Sequence, residues 1–213
     1  MKNVMNSLLI VCLTSSFVYG NKYESAMFAA IEKLYDSNDI QGYLDAVSAF
    51  ERIGEAEKDK WLPFYYAGLG YIWASHTTQE GPTVDEYLGK AQEFIDRASK
   101  LSPNNDELIT LQGYIYMMKV VVDPPNRGPQ FSGRAMQEFG KAVGMNENNP
   151  RALLLLGRMQ MGTDQFFGND VSQSCGMIMK ASQMFDVQAP KTKIDPSWGK
   201  EMADMFVSEC KAN

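Results

Sequence analysis

A triplet of apolar or small residues, spaced four and then three positions apart, recurs along this chain and limits what it can fold into. This spacing places all three side chains on one face of a helix. The copies are Ala46, Phe50, Ile53; Ala91, Ile95, Ala98; Ala135, Phe139, Ala142; and Ser174, Ile178, Ala181. A second helical pattern, built around a glycine, alternates with it: Phe64, Gly68, Tyr71; Ile109, Gly113, Tyr116; and Leu153, Gly157. The alternation predicts an array of helix pairs.

Repeating units counted from these patterns begin near Met27, Trp61, Asp106 and Pro150, with steps of 34, 45 and 44 residues. A 34-residue helix–turn–helix unit with small residues at fixed positions is typical of the tetratricopeptide repeat. We therefore predict an all-α, right-handed tetratricopeptide superhelix of about four helix pairs, closed by a capping helix near residues 196–211. Residues 21–213 are expected to form this single domain.

The stretch "YYAGLGYIWAS" contains two glycines inside a predicted helix, where each costs about 0.5–1 kcal/mol relative to alanine. Gly68 shares its position in the repeat with Gly113 and Gly157, so we expect the two helices of each pair to approach closely there. Gly70 lies off that face, and the repeat gives no reason for it.

Helix starts are marked at two of the unit boundaries. In "LSPNNDEL", Asn105 or Asp106 is placed to cap the helix that follows Pro103. In "NENNPRALLLLG", Asn149 is the expected cap and Pro150 occupies the first helical position.

The first 20 residues have the pattern of a secretory signal peptide. Lys2 provides the positive charge, "LLIVCL" the apolar core and "VYG" the cleavage region, so we predict cleavage near Gly20. No second apolar stretch approaches the roughly 20 residues that span a bilayer. The mature protein is therefore expected to be periplasmic or secreted, without a membrane span.

Several longer segments carry a family resemblance that covers essentially the whole mature chain. They are "ERIGEAEKDKWLPFYYAG", "LSPNNDELITLQGYIY", "VVVDPPNRGPQFSGRAMQEFGKA", "NNPRALLLLGRM", "FFGND" and "DPSWGKE". In this order they resemble a family of short, exported tetratricopeptide-repeat proteins of the bacteroidete type. The resemblance implies the fold and export; because the family has no assigned biochemical function, it transfers no site.

Composition argues against several function classes. The formal net charge is −6, and no Lys/Arg cluster offers a surface to nucleic acid. The single histidine, His76, lies in the polar stretch "ASHTTQEGPT" and is interpreted as a solvated loop residue. One histidine and no cysteine cluster do not make a typical zinc site, and no phosphate-binding glycine motif follows a strand pattern. We expect neither enzymatic activity nor a cofactor.

The concave groove of the superhelix is the first candidate binding surface. The first-helix positions that face it are aromatic, aliphatic and methionine-rich, with arginines at one end, which suits an extended or helical peptide. The candidates are Tyr65, Leu69, Ile72, Tyr114, Met117, Arg151, Leu154 and Arg158. The alternative is that the groove is filled by the protein's own C-terminal helix.

The second candidate surface is the edge where residues are inserted between paired helices. The inserted segments "SHTTQEGPTVD", "VVDPPNRGPQFS" and "GTDQFFGNDVSQS" are expected as turns on one edge of the array. Arg127, Phe166 and Phe167 are the candidates there. The alternative is that the two phenylalanines pack against helix ends.

These surfaces lead to different functions. The groove favours an interaction scaffold in the cell envelope or periplasm that binds a protein or peptide partner. The insertion edge favours a small-ligand-binding accessory protein of an envelope transporter. A purely structural envelope component is the third possibility.

Cys175 and Cys210 are the only cysteines left after signal-peptide removal, and export permits their oxidation. Cys175 opens the last repeat's second helix, and Cys210 lies near the end of the capping helix that must pack on it. We predict a disulfide between them; two separate buried thiols are the alternative.

Overall fold

The computed structural model of the chain describes residues 22–212, and these residues form helices with no strand among them; the connections are short except for 188–199. The predicted signal peptide lies outside the described residues. The helices are α1 (22–36), α2 (Ile40–Ala56), α3 (Leu62–Ser75), α4 (Gly81–Leu101), α5 (Asp106–Val122), α6 (Pro124–Met145), α7 (Pro150–Phe167), α8 (Ser172–Val187) and α9 (Lys200–Ala212). The predicted all-α class is confirmed. Within residues 22–212, no helix has both the length and the apolar character needed to cross a bilayer.

The helices pack as consecutive pairs: α3 contacts α4, α5 contacts α6, and α7 contacts α8. The first helices of successive pairs also contact one another, α3 with α5 and α5 with α7, so they line one side of the array. The last helix, α9, packs on α8. This arrangement leaves the inner side of α3, α5 and α7 available to the C-terminal segment of the chain.

Both glycines of "YYAGLGYIWAS" lie at tight contacts. A Cβ on Gly68 would stand 3.1 Å from Ile95 of α4, as expected for close approach within a pair. A Cβ on Gly70 would stand 2.6 Å from Val47 of α2, which the sequence pattern did not explain. Gly70 therefore allows α3 to approach the preceding helix, while Gly68 allows it to approach the following one.

Two predicted helix starts are confirmed. The Asn105 side chain accepts hydrogen bonds from the backbone amides of Glu107 and Leu108, at 2.9 and 3.3 Å. The Asn149 side chain accepts from the amide of Ala152 at 3.0 Å, and Pro150 begins α7. Each asparagine satisfies amides that have no partner within the helix.

Most of the inserted residues lengthen helices, and only 76–80, Asp123 and 168–171 remain as connections, which corrects the expectation of three irregular turns. α4 has 21 residues and α6 has 22, compared with 17 in α2. Pro124 and Pro125 fit the first turn of α6, where backbone amides lack helical partners, and Asp123 caps that helix. Phe166 and Phe167 lie in the last turn of α7.

Candidate functional site

The inner face of the first helices is occupied, over part of its length, by the segment before α9. The indole of Trp198 is 5% exposed and stacks on Tyr114 with ring centroids 6.1 Å apart. Its Nε1 donates to the Tyr65 hydroxyl at 2.8 Å. The carbonyl of Ile194 accepts from the Tyr66 hydroxyl at 3.0 Å. The groove around Tyr65 and Tyr114 is thus filled by the chain itself, through the segment that precedes the C-terminal helix and not through that helix, which was the alternative drawn from the sequence.

A buried ion pair lies beneath this segment. Arg151 of α7 donates to both Glu107 carboxylate oxygens, with Nη2 2.7 Å from Oε1 and Nε 3.0 Å from each oxygen. The Tyr65 hydroxyl donates to the same carboxylate at 2.9 Å. Burial alone would lower the pKa of Arg151, but the adjacent Glu107 charge and its hydrogen bonds raise it overall. Three successive first helices, α3, α5 and α7, are joined here through Glu107.

An open cavity of about 620 Å³ lies farther along the same side, between α5, α6, α7 and α9. Small-molecule sites are commonly clefts of about 300–1,000 Å³ with mostly apolar walls and few polar groups. The lining residues are His76, Tyr114, Met117, Met118, Val120, Val121, Pro124, Pro125, Gly128, Pro129, Ser132, Arg158, Met159, Gly162, Thr163, Phe166, Phe167, Met202, Met205 and Phe206.

Methionine and aromatic side chains dominate these walls. Five methionines from α5, α7 and α9 line the cavity. Methionine is flexible and polarizable and makes favourable contacts with aromatic rings, so such walls adapt to a flat ligand. At the end of α7, Phe166 and Phe167 are 60% and 70% exposed, and their rings meet edge to face. The apolar surface therefore continues outward from the cavity.

His76 stands at the cavity wall, just after α3, with its ring edge-on to Tyr114 at 5.7 Å between centroids. His76 is exposed, and the desolvation caused by its neighbours lowers the pKa of His76 below its usual 6.5. In its neutral form the imidazole has a lone pair on one ring nitrogen.

Arg158 is the one formally charged residue, at neutral pH, among the described residues that line the cavity. Its guanidinium carbon lies 4.8 Å from the centre of the Phe206 ring, and its Nη1 lies 3.7 Å from Glu209 Oε1. Nη1 is buried and is the only buried side-chain nitrogen or oxygen within residues 22–212 that lacks a hydrogen-bond partner.

The structure brings together candidates from both sequence-derived surfaces. Tyr114, Met117 and Arg158 from the groove and Phe166 and Phe167 from the insertion edge all line the cavity. The other groove candidates lie elsewhere and are buried, and they are Tyr65, Leu69, Ile72, Arg151 and Leu154.

Arg127 does not line the cavity. Its guanidinium pairs with both carboxylate oxygens of Asp85, at 2.8 Å each, and links α6 to α4.

Sequence reasoning missed His76 and the methionines of α9 as lining residues. The solvated position expected for His76 agrees with its exposure, but its polar sequence neighbours gave no sign that it also lines the cavity. Met202 and Met205 belong to the predicted capping helix, for which no ligand-binding role is expected from the sequence. The three-residue spacing of Met202 and Met205 places them on one face of α9. The residues that this face contacts depend on where α9 docks.

The predicted disulfide is confirmed. Cys175 of α8 and Cys210 of α9 are bonded, with their Cα atoms 5.6 Å apart. Met161 of α7 lies against the bridge, its sulfur 3.8 and 3.7 Å from the two cysteine sulfurs. The bridge holds the helix that forms one wall of the cavity. A disulfide is compatible with an exported protein.

Comparison with known proteins identifies a fold neighbour. No protein-family model matches the chain, and no curated protein sequence is significantly similar to it. Among solved structures, the HusA haemophore from Porphyromonas gingivalis superposes with a TM-score of 0.80. The match covers 89% of this chain and 93% of the haemophore at 20% sequence identity, so it establishes similarity of fold.

Proposed function

We propose that this protein binds a small, flat, largely apolar ligand of the porphyrin class, haem included, in the cavity between α5, α6, α7 and α9. The observation that carries the proposal is the cavity itself: about 620 Å³, walled by methionine and aromatic side chains and served by very few polar groups. The inner groove expected to hold a protein segment is covered by Ile194 and Trp198, so we assign the binding role to the cavity.

Two further features favour a porphyrin over other apolar ligands. The fold neighbour is a haemophore, and its match extends over nearly the whole of both chains. His76 presents a neutral imidazole at the cavity wall, and imidazole nitrogen is a common ligand of iron. An iron porphyrin would then gain a metal contact in addition to the apolar burial of its ring.

We also propose the repeat type, the export and the mode of action that the sequence suggests. The helix pairs are tetratricopeptide units of a right-handed superhelix, and the protein is exported after cleavage near Gly20. It acts by binding rather than catalysis, as an accessory to an envelope transporter. The disulfide and the recurrent small residues at helix contacts support these assignments.

The test is a titration of the purified mature protein with haemin and with iron-free protoporphyrin IX, followed by the porphyrin absorbance band. The informative variant is Gly162→Phe on α7, since Gly162 lines the cavity and a Cβ there would meet no atom within 4 Å. The new ring would occupy cavity space, and we expect affinity for both porphyrins to fall more than tenfold.

Gly140→Phe on α6 is the matched control. A Cβ on Gly140 also meets nothing within 4 Å, but Gly140 does not line the cavity. Both changes replace a mid-helix glycine and should raise helix propensity similarly. Absence of binding of either porphyrin to the wild-type protein, or equal binding by the two variants, would contradict the proposal.

A further inference from the structure

The cavity contains one fixed charge, on Arg158, in surroundings that otherwise favour an uncharged ligand. The arginine enters from α7, and its guanidinium lies over the Phe206 ring of α9. The side chain as a whole is 30% exposed, yet Nη1 is shielded from solvent. The exposed part of the side chain contributes to the cavity wall and keeps its charge available to a ligand, while Nη1 has no hydrogen bond of its own.

The nearest carboxylate does not satisfy Nη1. Glu209 Oε1 is 3.7 Å from Nη1, which is too far for a hydrogen bond. The two groups therefore interact only through their opposite charges. Arg151, on the same helix, differs from Arg158 because it forms three hydrogen bonds with one carboxylate, that of Glu107. Arg158 has only the longer ion pair with Glu209, and its Nη1 forms no hydrogen bond.

We propose that Arg158 recognises an acid group of the ligand: its guanidinium donates to a ligand carboxylate, and the cavity therefore selects apolar carboxylic acids over their neutral analogues. This inference rests on the cavity being the binding site and specifies which ligands it takes. A guanidinium binds a carboxylate through charge-assisted hydrogen bonds in a planar geometry, which are stronger than neutral ones. Such bonds correspond to about tenfold to a hundredfold in affinity.

The experiment compares protoporphyrin IX with its dimethyl ester, which keeps the ring and removes both acids. Wild-type protein is expected to bind the acid at least tenfold more tightly than the ester. Arg158→Met keeps an apolar chain of similar length, so it should weaken acid binding by about tenfold to a hundredfold and leave ester binding within twofold. Arg158→Lys should retain part of the preference, because a charge remains.

Glu209→Gln is a second variant, for which affinity for the acid is not expected to fall. It removes a negative charge near Arg158, so acid binding should strengthen or stay unchanged, and ester binding should not change. Thermal unfolding of each variant, monitored by circular dichroism, verifies that the fold is intact.

The outcomes separate this inference from the porphyrin assignment. Equal binding of acid and ester by wild-type protein, or an acid preference that survives in Arg158→Met, overturns the role of Arg158 while porphyrin binding stands. If neither porphyrin binds, the porphyrin class is wrong, and cis-parinaric acid and its methyl ester become the probes. An acid preference that Arg158→Met abolishes then supports the role of Arg158, and failure of that pair as well overturns it.

Discussion

Arg151 and Arg158 lie about two helical turns apart on α7, and their surroundings differ sharply. The Arg151 side chain is 10% exposed and shares a carboxylate with the Tyr65 hydroxyl, under the cover of Trp198. Arg158 faces an open cavity and keeps one nitrogen unpartnered. The protein thus covers one stretch of its inner side with its own tryptophan, and the next stretch forms an open cavity.

The contrast separates a region built for stability from a region suited to binding. A buried charge whose hydrogen bonds are all satisfied stabilises only one arrangement of its neighbours, here α3, α5, α7 and the segment before α9. A partly exposed charge in a loose ion pair, such as that of Arg158, adds little to stability but can gain much from a ligand. Substitutions around Arg151 should therefore change the free energy of unfolding, and substitutions around Arg158 should change the affinity for a ligand.

The largest effect is expected from Arg151→Met, which leaves the Glu107 carboxylate buried without its partner. Loss of one member of a buried pair typically costs about 3–5 kcal/mol in the free energy of unfolding. Urea denaturation of Arg151→Met and Arg158→Met measures the contrast directly. Arg158→Met should cost less than about 1 kcal/mol, because its pair with Glu209 is loose and partly exposed. Equal destabilisation by the two variants would contradict the view that Arg151 contributes more to stability than Arg158.

Loss of the disulfide should be nearly as large. The bridge joins residues separated by 35 positions, and the chain-entropy treatment assigns a loop of this size about 3–4 kcal/mol. A Cys175→Ser and Cys210→Ser double variant, compared with wild-type protein by hydrogen exchange, should show increased exchange in α9 and the cavity wall. Exchange around Tyr65 and Glu107 should change less. Uniform acceleration across both regions would indicate that the bridge supports the whole array.

Trp198→Phe should have a smaller effect, about 1–3 kcal/mol in the free energy of unfolding. The change keeps an aromatic ring over Tyr114 but removes the Nε1 donor to Tyr65 and leaves a small void. Trp61→Phe is the control, because Trp61 packs edge-on against Tyr65 at 5.6 Å without that hydrogen bond. A larger loss in Trp61→Phe than in Trp198→Phe would show that the hydrogen bond is not what holds the segment.

The smallest effect should come from His76 and should appear as a pH dependence. Its folded-state pKa is lowered, so the unfolded chain binds a proton more readily than the folded protein as pH falls below 6.5. The contribution of His76 to stability is therefore present above pH 6.5 and is lost as the pH falls toward the lower folded-state pKa. The difference in unfolding midpoint between wild-type protein and His76→Gln, measured from pH 8 to 5, should shift in favour of the variant at low pH. A pH-independent difference would contradict this.

Local sequence signals predicted many parts of the fold because they act over a few residues. Asn105 and Asn149 cap the helices that follow them, and Gly68 lies where a pair of helices meets closely. The same signals did not reveal that the inserted residues extend α4, α6 and α7, because polar and proline-containing stretches are compatible with either a loop or the first turn of a helix.

The sequence alone determined the helical pairs, the caps and the two cysteines that the fold joins, since each follows from spacing along the chain or from the number of available partners. Only the tertiary structure decided that Trp198 covers Tyr65, that His76 reaches a cavity wall and that Nη1 of Arg158 forms no hydrogen bond within residues 22–212. These facts depend on where the C-terminal segment docks against helices more than 30 residues away in sequence. Docking of this kind is governed by the packing of whole surfaces, for which no short stretch of residues carries a sufficient signal.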